Sequence, residues 1–220
     1  MTQQQKSAAV EGLVHPEPAT VEVVDGSGGD ISRSDVLLKG ALAAGAVYGT
    51  LMVAPFVRSA LAASGTSDVD ILNFALTLEY LESTFYEEAQ QKVKASGELK
   101  KLLPLLASDE KQHVAALKGT IEKLGGKPVA EPTFNFEYSG TSGFLKVAET
   151  LENTGVGAYN GAGPSIKSKE VLAAAGSIVQ VEARHAAAIS LQNGQEPAPS
   201  AFDAPLTEKQ VLKAVEPLIA

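Results

Sequence analysis

Two stretches of the chain place a glutamate three residues ahead of a histidine: Glu110 with His113, and Glu182 with His185. On an α-helix, residues i and i+3 stand about 60° apart and roughly 4.5 Å along the axis, so both side chains can reach a common point. Carboxylate oxygen and imidazole nitrogen converging there make a donor set suited to iron or manganese. The chain has three histidines, and His15 stands apart near the N-terminus. Given 19 glutamates in 220 residues, both remaining histidines would follow a Glu at this spacing by chance on the order of one time in a hundred. The plainer reading of each pair is a Glu and a His satisfying one another inside a core.

The apolar stripe of each helical segment bears on that choice. Around the first pair, residues spaced three or four apart read Leu103, Leu106, Glu110, His113, Leu117, Ile121, which sets a carboxylate and an imidazole among core leucines. The second pair repeats this as Ala175, Ile178, Glu182, His185, Ile189. Two further stripes hold Leu72, Ala75, Glu79, Glu82, Tyr86 and Leu145, Ala148, Glu152, Val156, Tyr159. Each stripe has an acidic residue near its middle, and none contains Lys or Arg. A buried ionised carboxylate costs several kcal/mol unless it is neutralised, and two divalent cations would cancel four. The chain also echoes itself. Glu79 and Glu152 are each followed seven residues later by a tyrosine, Tyr86 and Tyr159, and about thirty residues later by one of the E-x-x-H pairs. Two such halves about a pseudo-twofold axis would set two metals side by side.

These side chains need helices to carry them. Hydrophobic residues make up 45% of the chain and aromatics 5%, without Trp, which suits packed helices better than a β-sandwich. Ser67 can cap a first helix to about Ala95, with Asp68 and Asp70 in its first turn. A second runs from about Glu98 to Leu124, with Pro104 expected to kink or restart it, and stops at Gly125-Gly126. Residues 126–141 lack helical period and are long enough to cross a bundle. A third helix follows Ser142 to about Gly161, and a fourth runs from about Ser168 to Gln192. Thr207 and Gln210 form a capping box for a short last helix. Short, long and short connections describe an all-α four-helix bundle with one crossover.

Ahead of the bundle, residues 1–31 read as an extended or disordered arm, and residues 32–66 as an apolar helix. Between Lys39 and Arg58 lie 18 uncharged residues, at the lower limit of a membrane span. The preceding Ser32-Arg33-Ser34-Asp35 resembles a twin-arginine export signal with Ser for the second Arg, and Ala60-Leu61-Ala62 could serve as a cleavage site. This segment predicts an exported or membrane-anchored protein facing the periplasm or cell exterior, with membrane or membrane-protein contact through residues 36–63; an extra helix lying on the bundle is the other reading. The net charge of −8 and the lack of a basic cluster exclude nucleic acid as a partner. Absence of Cys excludes disulfides and thiol chemistry.

As a set, residues 67–218 resemble the ferritin-like di-metal carboxylate superfamily. Within it, NFALTLEYLESTFYEEA, SDEKQHVAALKGTIEKLGGKPV, ETLENTGVGAYNGA and VQVEARHAAAISL are similar to the bacterial ferritin-like domain family that includes desiccation-related proteins. The resemblance implies metal ligands Glu79, Glu110, His113, Glu152, Glu182 and His185 for two iron ions, or two manganese ions. It places Tyr86 and Tyr159 near the metals, as donors of hydrogen bonds or electrons in catalysis. It gives Asp109 the task of orienting an imidazole; Val181 stands at the equivalent place in the fourth helix, so one imidazole should lack such a partner. Glu82 and Glu149, one turn from the implied ligands, stand as possible extra ligands, with a place in solvent or behind the ligands as the plainer reading because the E-x6-Y register favours their neighbours. The implied activity is Fe(II) oxidation or peroxide detoxification with dioxygen or peroxide, in a homo-oligomer or assembly subunit. The alternative is a non-catalytic structural subunit of a membrane-associated assembly.

Overall fold

The structure is a computed structural model that describes residues 67–220. Four helices, α1 (Asp68–Lys92), α2 (Gly97–Lys123), α3 (Gly140–Ala162) and α4 (Lys169–Gln192), form a bundle, and a short α5 (Glu208–Val215) follows. Helices α1 and α2 pair through one short link, α3 and α4 through another, and residues 124–139 make the long connection between the pairs.

The ends of the helices follow local chemistry. The Ser67 side chain accepts the Asp70 N–H, the Ser168 side chain accepts that of Val171, and Thr207 with Gln210 completes the expected capping box. Asp68 accepts the backbone N–H groups of Lys167 and Ser168, both at 2.8 Å, which ties the start of α1 to the start of α4. Those hydrogen bonds hold its carboxyl below the usual range. Gly125, at φ 76°, ends α2, and Gly126 returns its N–H to Ile121 O at 2.9 Å. Gly140, at φ 63°, turns the chain into α3 three residues earlier than the sequence suggested.

Pro104 does not restart α2, which is a single helix across it. Pro104 and Lys100 both lie on the exposed face, so water can serve the Lys100 carbonyl that loses its helical donor.

The crossover runs back along α1. Near the start of α1, Asn73 donates to Lys127 O and accepts from Val129 N. Farther along, Thr84 donates to Glu131 at 2.9 Å. The crossover ends with Phe136 and Tyr138 edge-on to Phe85, which itself stacks on Phe144 of α3. This course returns the chain to the end of the bundle where α3 begins.

Two apolar clusters occupy the ends of the bundle. One gathers Phe85, Leu103, Leu106, Phe144, Leu151 and Ile189; the other gathers Leu72, Leu76, Leu117, Ile121, Val171 and Ile178. Along each of α1, α2 and α4 the acidic residues of the stripe fall between the two. The polar centre is therefore capped at both ends by packed hydrocarbon.

The expectation of an exported or membrane-anchored, membrane-associated protein is corrected. No helix among the described residues is long and apolar enough to cross a membrane, because every bundle helix has a charged or polar outer face. The segment 36–63 and the arm before it lie outside the described residues.

Candidate metal centre

At mid-bundle the four acidic stripes converge. Glu79 of α1, Glu110 of α2, Glu152 of α3 and Glu182 of α4 are fully buried. His113 and His185 are 8% and 6% exposed, with ring centroids 6.2 Å apart. Two groups of four result: Glu79, Glu110, His113 and Glu182, and then Glu110, Glu152, Glu182 and His185. Within each, one donor atom from every residue lies within 4.8 Å of all the others. Glu110 and Glu182 belong to both. All six residues named from the sequence come together here.

The imidazoles enter through the same atom. His113 Nδ1 lies 3.2 Å from Glu79, 3.0 Å from Glu110 and 3.0 Å from Glu182. His185 Nδ1 lies 2.8 Å from Glu110 and 3.6 Å from Glu152. Its other nitrogen, Nε2, donates to Asp109 Oδ2 at 3.2 Å. Asp109 therefore reaches across to α4 rather than serving His113 on its own helix, and with Val181 at the matching position no carboxylate among the described residues backs His113.

The two tyrosines cross in the same manner. Tyr86 on α1 donates to Glu152 Oε1 on α3, and Tyr159 on α3 donates to Glu79 Oε1 on α1. Each phenol fixes one oxygen of the opposite carboxylate and leaves the second facing inward.

The charges are far from their ordinary balance. Burial, then the charge of Glu182, pushes the Glu79 and Glu152 carboxyls well above the usual range, and burial raises Glu182 too. Burial would also raise Glu110, but the close approach of the His113 and His185 imidazoles outweighs it and holds it at about 2. Burial alone would lower His113; the carboxylates of Glu110, Glu182 and Glu79 crowded at its Nδ1 drive it instead to about 12. His185 is raised against burial by Glu110. Both phenols are pushed up by burial and then by their carboxylate partners. Among the described residues no Lys or Arg pairs with these carboxylates, which leaves the two imidazoles as the basic groups beside them.

Glu110 Oε1, Glu152 Oε2, both oxygens of Glu182 and His185 Nδ1 are buried without a hydrogen bond. Glu110 Oε1 and His185 Nδ1 approach to 2.8 Å, yet out of line for a hydrogen bond. Donor atoms crowded around a common point without bonding one another fit cations between them. Two clusters of buried Glu and His suitable for a dinuclear metal site are thus present.

Glu149 takes no part. It is half-buried and accepts from Asn193 at 2.8 Å and Gln195 at 3.2 Å, tying α3 to the end of α4. Glu82 is different. The E-x6-Y register set it aside, but it is 3% exposed, and burial followed by the charge of Glu182 pushes its carboxyl well up. Its signal in the sequence was membership of the α1 apolar stripe.

A cleft of about 440 Å³ between α2 and α4 is lined by Leu102, Asp109, Gln112 and Arg184 and by the edges of His113 and His185.

No curated protein matches the chain. Among solved structures it is similar to one described as ferritin like, diiron-carboxylate proteins from Bacillus anthracis str. Ames, at 20% identity over 64% of this chain and 99% of that one, with a TM-score of 0.48. The ferritin-like domain family matches residues 67–195. That span takes in all four helices of the bundle and more than half of the chain, and the chain belongs to the ferritin-like domain family.

Proposed function

We propose that Glu79, Glu110, His113, Glu152, Glu182 and His185 hold two iron ions, with two manganese ions as the alternative, and that the protein oxidises Fe(II) or removes peroxide at the pair. The observation that carries this reading is the sharing of Glu110 and Glu182 between the two ligand groups, since two carboxylates common to both groups call for two adjacent cations. Bound metals of this class supply the redox change and open positions for dioxygen or peroxide.

The remaining work falls to the chain. Asp109 fixes the ring of His185 so that Nδ1 faces inward. Tyr86 and Tyr159 position Glu152 and Glu79, and as buried phenols bonded to two of the ligands they are oxidisable side chains at the centre. The two apolar clusters keep water from the ends of the site. The cleft over the two imidazoles gives a small oxidant its way in.

Elemental analysis of the native protein, paired with oxygen consumption on adding Fe(II), tests the reading. Two iron ions per chain and Fe(II)-dependent oxygen uptake are expected, and Glu110→Ala should abolish the uptake because both groups lose a member. Two manganese ions with peroxide breakdown would select the manganese alternative. A protein isolated without metal, whose stability did not respond to Fe(II) or Mn(II), would overturn the proposal.

A further inference from the structure

We propose that Glu82 is a fifth carboxylate of the metal centre, admitted beside Glu182 by the missing side chain of Gly155; the proposal rests on the two-metal reading above. Glu82 stands one turn beyond Glu79 on α1 and is 3% exposed. Among the described residues it has neither a hydrogen-bond donor nor a basic partner. A buried carboxylate in that condition is costly unless something positive meets it. No structural bond explains its presence, in contrast to Glu149, which holds two amide side chains.

Gly155 shows where the side chain points. A β-carbon at Gly155 would lie 3.1 Å from Glu82 Oε1 and 3.3 Å from Glu182 Oε2. The two carboxylates therefore converge over one bare position on α3, and Glu182 is common to both ligand groups. The internal echo of the chain makes the vacancy meaningful. It pairs Glu79 with Glu152 and Tyr86 with Tyr159, and three residues after each glutamate it pairs Glu82 with Gly155. Side chains at both positions would compete for the same space. The first half supplies a carboxylate and the second supplies only hydrogen, so the pseudo-twofold centre gains one extra oxygen ligand on one side.

The test uses the full chain, stripped of metal by a chelator and titrated with Mn(II) and, separately, Co(II). Wild type should bind two ions per chain. Glu82→Gln should retain that stoichiometry while one ion weakens by at least about tenfold, the lower end of what removing even a supporting group costs a metal site. Visible absorption per Co(II) should rise, because cobalt that loses an oxygen ligand absorbs more strongly, a signature that a merely structural side chain would not move. Gly155→Ala supplies a second variant whose folding is not in doubt on helical grounds, since Ala favours the helix over Gly. Its far-ultraviolet circular dichroism should match that of wild type while its affinity for at least one ion falls, because the new β-carbon crowds Glu82 and the shared Glu182. Wild-type affinity and an unchanged Co(II) spectrum in both variants would overturn the role of Glu82 and leave the two-metal reading standing. A wild-type protein that takes up neither ion would overturn both.

Discussion

His113 and His185 face carboxylates that strengthen their hold on protons, and a bound metal competes with those protons. Both have raised affinity for a proton, His113 up to about 12, because carboxylates crowd Nδ1 more strongly than burial opposes the charge. Glu79, Glu152 and Glu182 are raised as well, by burial first. A group with raised pKa gives up its proton less readily, and a metal ligand must shed it. Affinity for Mn(II) should therefore rise with pH, with protons released on binding. Calorimetric titration in two buffers of different ionisation enthalpy measures that release; an affinity constant between about pH 6 and pH 8 would contradict it. A second expectation concerns the unequal imidazoles. Asp109→Asn removes the carboxylate behind His185 and leaves His113 untouched, so one ion of the two should weaken by about 10–100-fold. Two ions weakening together in a Mn(II) titration would speak against that division. The asymmetry was legible in the sequence as Asp109 against Val181, but which ring Asp109 serves was not. On its own helix Asp109 is the neighbour of Glu110, and only the packing of α2 on α4 brings it to His185.

Helices were the most legible elements, because Ser67, Ser168, Thr207 and Gly125 act on their own nearest backbone. The expectation that Pro104 restarts α2 failed because local steric reasoning does not see that the affected carbonyl faces water. Nor did local pattern show what the aperiodic parts hold on to. Phe134, Phe136 and Tyr138 gain meaning only from Phe85 and Phe144 in distant helices. The segment before α5 is similar. It crosses α3 where Gly157 and Gly161 expose backbone, with Leu206 N–H donating to Gly157 O at 2.8 Å. A β-carbon at Gly161 would fall 1.9 Å from Leu206 O, too close for any rotamer to relieve, since the obstacle is backbone. Gly161→Ala should therefore lift the C-terminal segment from α3 at a cost of about 1–3 kcal/mol, lowering Tm by several degrees. Because Gly161 lies beyond Tyr159, Mn(II) stoichiometry should stay at two. An unchanged melt would argue that the segment does not rest there.

On the scale of the molecule, a polar middle is clamped between two apolar ends, and its stability depends on what neutralises the middle. The bundle and its six converging residues followed from apolar periodicity interrupted at matched heights. The fifth carboxylate did not, because its place is set by a glycine 73 positions away in sequence. Five buried carboxylates face two imidazoles, so even with both rings protonated the centre keeps an excess of negative charge or must bind further protons. Either state is strained relative to one with two divalent cations. Metal should then act on the whole fold, since the ligands are drawn from all four helices and unfolding scatters them. At free Mn(II) about 100-fold above the dissociation constant, each site adds about 2.7 kcal/mol, which amounts to several degrees in Tm for a chain of this length. A chelator should reverse the gain. In Glu110→Ala the gain should shrink for both ions at once, because that residue is common to the two groups, whereas Glu149→Ala should keep it in full. Thermal melts of the three proteins with Mn(II) and with chelator provide the comparison. Equal gains in all three would mean that the ion stabilises the fold from outside this centre.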